Sequence, residues 1–169
     1  MLVALHCVFI SNIENNMTDS TQPTRTDNEE MEFSSGLAAF EAKHFSRAMQ
    51  LLSPFANNGD AHAQHMLAIM FQNGLGTVEN PTQAVAMMTG SAEQGYPIAQ
   101  HGLGFMYMQG ECVEKDSAKA VEWFEKAAEQ GLQGSLTTLA MMYEQGEGVE
   151  KNSEKAKKLY KAAGFDDLG

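Results

Sequence analysis

The apolar positions of this chain recur with a fixed spacing of 36 residues. Between Gly95 and Gly131, Ala99, Leu103, Met106 and Tyr107 fall at i, i+4, i+7 and i+8, which is one face of a helix. Gly110 follows and suits the left-handed position that ends helices. Ala120, Trp123, Phe124 and Ala127 make a second apolar stripe, opened by Asp116 as N-cap and closed by Gly131. Leu67, Leu103 and Leu139 stand in register, as do Met70, Met106 and Met142, then Phe71, Tyr107 and Tyr143, then Ala84, Ala120 and Ala156. In the central copy the spacing predicts a helix A over about Tyr96–Gln109 and a helix B over about Asp116–Gln130. The other B helices fall over about Pro81–Glu93 and Asn152–Ala163. One helix pair cannot bury its apolar stripe alone, so a period of this length marks pairs stacked into a solenoid. The expected fold is all-α, a right-handed α/α solenoid of about four helix pairs.

The organisation follows from that register. Residues 59–94, 95–130 and 131–169 are three repeats, the last with a short tail. Residues 31–58 form a related pair with a shorter loop, resembling a tetratricopeptide hairpin, in which Phe40 and Phe45 fill the layer. Residues 1–30 are expected to be a disordered leader that carries no fold stability, because Ser11 to Glu30 offers almost nothing to bury. Met1 to Ile10 is apolar but lacks the basic start and small-residue cleavage site of a signal peptide, and it is too short to span a bilayer. A start at Met17 and a degenerate signal segment are the two readings of that stretch.

The repeated positions resemble the Sel1-like repeat (SLR) family, a relative of the tetratricopeptide repeats with a longer unit. Ala99-Gln100, Leu103-Gly104, Met106-Tyr107, Gly110, Val113, Asp116, Lys119-Ala120, Trp123-Phe124 and Ala127-Ala128 carry the likeness in the central copy, and two further copies share it. Cys112 departs from the pattern, standing where Gly76 and Gly148 hold a loop glycine. The resemblance implies an interaction module whose A helices line a concave groove. On that reading the partner-binding residues are His62, His65, Ile69 and Gln72, then Ile98, His101, Phe105 and Met108, then Thr137, Met141 and Glu144. Ile69, Phe105 and Met141 are equivalent and apolar, so they form a strip suited to a peptide segment, or else pack helix A against its neighbour. The rival reading is a secreted or periplasmic hydrolase-like or virulence-associated repeat protein.

Charge and candidate chemistry narrow this further. Lys and Arg number 11 against 22 Asp and Glu, a net charge of −11. That balance argues against nucleic acid and favours a protein or peptide partner with a cationic segment. No H-E-x-x-H, P-loop or G-x-S-x-G occurs, so no enzyme, metal or cofactor is expected. His62, His65 and His101 lie on first helices without further ligands at metal spacing. Cys7 and Cys112 make no disulfide framework, which favours a reducing compartment, the cytoplasm over a periplasmic or secreted location.

Overall fold

The computed structural model describes residues 25–165. Over that span every regular element is helical: α1 (Asp27–Glu41), α2 (Phe45–Asn57), α3 (Ala61–Asn73), α4 (Pro81–Glu93), α5 (Pro97–Gln109), α6 (Ser117–Glu129), α7 (Gln133–Gln145) and α8 (Ser153–Ala162). Each packs on the helix before and the helix after it, which gives an α/α solenoid of four pairs.

The boundaries have local causes. The side chains of Asn80, Asp116 and Asn152 accept the backbone N–H groups of Gln83, Lys119 and Lys155 at 3.1, 3.0 and 2.9 Å, so each helix B after the first begins on a side-chain cap. Gly74, Gly110 and Gly146 end the A helices in the left-handed region. Cys112 takes φ 63°, close to the 70° and 71° of its equivalents Gly76 and Gly148. Those two glycines lie against the preceding unit. A Cβ on Gly148 would sit 2.3 Å from the Ser117 carbonyl oxygen, and one on Gly76 would sit 2.5 Å from the Phe45 backbone.

The core forms at the joints between units. Leu67 and Met70 of α3 join a cluster with Ala48, Leu52 and Ala56 of α2. Leu103 and Met106 of α5 join Ala84, Met88 and Ala92 of α4, and Leu139 and Met142 of α7 join Ala120, Val121 and Phe124 of α6. Side-chain amides reinforce two joints. Gln64 Nε2 donates to the Ala56 carbonyl and Gln100 Nε2 to the Ala92 carbonyl, both at 3.2 Å. Gln94 then donates to Gln64 Oε1 and Gln130 to Gln100 Oε1, each at 2.8 Å. The third joint has Leu136 in place of this glutamine.

Two expectations need correction: a Trp123 buried between the second and third repeats, and a leader that reaches residue 30. Trp123 is half-buried, packs toward the cluster of α3, α4 and α5, and has the Lys126 ammonium 3.7 Å above its ring. The wholly buried aromatic of α6 is Phe124, seated against Gly104, whose missing Cβ would lie 2.8 Å from the ring. Residues 25–30 are also ordered rather than part of a leader. Helix α1 begins at Asp27, and Thr26 with Glu29 forms a capping box in which each side chain accepts the other's backbone N–H. The Arg25 guanidinium lies 3.5 Å from the centre of the Phe33 ring and pairs with the buried carboxylate of Asp60. Asp60 in turn caps α3 through Ala63 N at 2.8 Å. Residues 25–30 therefore tie the first pair to the first full repeat, whereas the Met1–Ile10 stretch lies outside the described residues.

Candidate functional site

The A-helix face holds an unbroken aromatic series at its N-terminal end. Phe33 meets Phe55 and His62 edge-on at 5.3 and 5.4 Å. His62 stacks on Tyr96 at 5.5 Å, and His65 meets the same ring edge-on at 5.5 Å. Tyr96 is placed by the turn after Gly95, as the residue that precedes α5. Farther along, His101 lies edge-on to Phe105 at 4.8 Å and to Phe124 at 5.4 Å, while its Nδ1 is 2.8 Å from Ser135 Oγ on α7.

The eleven residues expected on this face divide by burial. His65, Ile69 and Ile98 are buried among the helices, so they hold the layers together and present nothing at the surface. His62, Gln72, His101, Phe105, Met108 and Thr137 are half-buried, and Met141 and Glu144 are exposed. The equivalent strip is thus graded: Ile69 is 8% exposed, Phe105 is half-buried with its ring 5.2 Å from that of Phe124, and Met141 is 41% exposed. The strip is core at one end and surface at the other. Polar contacts frame it. Gln72 Nε2 donates to Glu111 Oε2 at 3.0 Å, Thr137 Oγ1 to the Gln133 carbonyl at 2.9 Å, and the Tyr160 hydroxyl to Glu144 Oε2 at 3.2 Å.

Reading the columns missed Arg25, Phe33, Tyr96 and Ser135. Ser135 was legible as the one hydroxyl in the column of Ala63 and Ala99. The His101–Ser135 contact has the distance of a base–nucleophile pair, but Ser135 is fully buried, so no substrate reaches its oxygen. Burial also raises the Cys112 thiol above its usual range, with Glu111 and Glu79 adding to the effect, so it stays protonated near neutrality. Among the described residues no three His, Cys, Asp or Glu side chains converge in a way that could hold a metal, and no helix is long and apolar enough to cross a membrane.

The Sel1 repeat model matches residues 61–96, 97–132 and 136–164. A Sel1 repeat protein from Oxalobacter formigenes superposes with TM-score 0.73 at 30% identity, over 79% of this chain and 55% of that one. A protective antigen of uropathogenic Escherichia coli strains, displaying an SLR fold, gives 0.76 at 30% identity, over 82% of this chain and 31% of the other. The chain therefore spans about half and about a third of those structures. Helicobacter pylori cysteine-rich protein B gives 0.53 at 20% identity, a likeness of fold alone, covering 80% of this chain and 92% of that one. A search of curated proteins returned no match. Sel1 repeats generally serve as protein–protein interaction modules. With three matched units in an unbroken register and two solved SLR structures at this identity, the chain belongs to the Sel1 repeat family.

Proposed function

We propose that the chain is a non-enzymatic adaptor that holds a protein segment along the C-terminal half of its A-helix face. The observation that carries this is the gradient of the apolar strip, which opens from buried Ile69 through Phe105 to exposed Met141. Met108 and Phe105 offer half-buried apolar surface beside it, and Glu144 and Glu111 set negative charge at its edges. Unbranched methionine side chains adapt to varied partners, and carboxylates at a rim favour Lys or Arg flanking an apolar anchor. The partner class is therefore an apolar segment with a basic neighbour.

The test is selection of a random 12-residue peptide library on the full chain, with counter-selection on Met141→Glu. Because Met141 is exposed, the variant should keep the helical circular dichroism and thermal midpoint of the parent. The expected outcome is an enriched apolar–basic motif whose affinity falls at least tenfold on Met141→Glu. No enriched motif, or one that binds both proteins equally, overturns the reading.

A further inference from the structure

We infer that the two ends of the solenoid bind one another between copies, so that the helix α1 face of one chain docks on the helix α8 face of the next. The register identifies what each end presents. Gly36 meets Leu52 as Gly104 meets Phe124, and Leu52 and Phe124 are equivalent positions, so Gly36 is the counterpart of Gly104. Four residues before Gly104 stands Gln100, which reaches back to the preceding helix B; four residues before Gly36 stands Glu32. By the same alignment Met31, Ser35 and Ala38 correspond to Ala99, Leu103 and Met106, the side chains that α5 buries against α4. In α1 all four are exposed, Met31 at 64%.

Helix α8 carries part of the complementary half of a joint. Exposed Lys157 and half-buried Tyr160 correspond to Val121 and Phe124 of α6, while Ala156, the counterpart of Ala120, is already buried within the last pair. Among the described residues no helix lies against this side of α8, and Phe165, at its end, is 49% exposed. At the position of Val121, Val85 and Met49 stands exposed Lys157.

The charges are opposite as well. Helix α1 holds Asp27, Glu29, Glu30, Glu32 and Glu41 with no Lys or Arg, while α8 holds Lys155, Lys157, Lys158 and Lys161 with one acidic residue, Glu154. A second copy's α1 would continue the joint geometry already repeated inside the chain, with Met31, Ser35 and Ala38 over Tyr160 and Glu32 beside Lys157. The contact is head-to-tail, hence heterologous and concentration-dependent.

Sedimentation velocity of the full chain under reducing conditions tests this, from about 10 μM to about 1 mM, at low salt and at 1 M salt, where the Debye length shrinks to about 3 Å. The expected result is a weight-average mass that rises with concentration and is suppressed by salt. Glu32→Lys and Lys157→Glu should each weaken association at least tenfold, and the double variant, with the charges exchanged, should restore it. Both sites are exposed, so circular dichroism should show every variant folded. A monomer at all concentrations overturns the inference, and so does association indifferent to either charge. Association that emerges only after removal of residues 1–24 also overturns it for the full chain, because the preceding segment would then cover α1.

Discussion

Phe124 and Trp123 are neighbours in sequence with unequal roles. Phe124 is wholly buried, its ring edge-on to His101 and Phe105 and in contact with Gly104. Phe124→Ala should cost about 3–5 kcal/mol, as truncation of a buried aromatic does. Trp123→Ala should cost clearly less, since its ring is half-exposed beneath Lys126. Paired urea melts decide the matter; equal losses would place the two rings in equivalent surroundings. Column reading favoured the larger Trp123 as the buried ring, since the apolar stripe of a helix does not reveal which members lie on its midline. It also treated Ile69, Phe105 and Met141 as alike. Their burial differs because the residues facing them differ, and Phe105 meets Phe124. Phe105→Glu would therefore put a charge against that packed ring and destabilise the fold.

Among the elements, the regular helices were legible almost to the residue, because Asn80-Pro81, Asp116 and Asn152 are strong start signals and the glycines strong stops. Helix α1 was obscured by its own polarity. Its start nevertheless carries a sequence signature, Thr26 with Glu29 three residues on, which composition alone cannot register. Removing residues 1–24 should leave the thermal midpoint nearly unchanged, whereas removing residues 1–30 should lower it by several degrees. Arg25→Ala should reproduce most of that loss, at about 3 kcal/mol, because it strands the buried Asp60 carboxylate. Equal midpoints for the two truncations would show that the Arg25–Asp60 pair adds nothing. The capping box makes a further forecast. The backbone N–H of Thr26, and then its hydroxyl, hold the Glu29 carboxyl below its usual range. A depressed carboxylate contributes stability that is present above its unfolded pKa and lost as pH falls through the folded one. Amide exchange in the first turn of α1 should therefore accelerate only below about pH 4.5, the ordinary glutamate value. Acceleration beginning near pH 6 would point to a histidine instead.

On the scale of the whole molecule, the solenoid is a chain of nearest-neighbour joints, so its properties are set joint by joint. The period made the number of pairs and their order readable. What the ends present was not readable, because it depends on which side chains have lost a neighbour rather than on which recur. Met31, Lys157 and Phe165 become notable only against Ala99, Val121 and the covered interior.

The glutamine bridges across the first two joints, with Leu136 at the third, have a mechanical consequence. A load applied along the stack meets amide-to-carbonyl clasps at the first two seams, and at the last it meets side-chain pairs, among them His101–Ser135, Tyr143–Glu125 and Lys155–Glu125. The α7–α8 hairpin is then the unit whose grip includes an exposed ion pair, so added salt should slacken that seam while the neutral amide clasps hold. A partner gripping Met141 would pull on that seam, and would feel its compliance change with ionic strength.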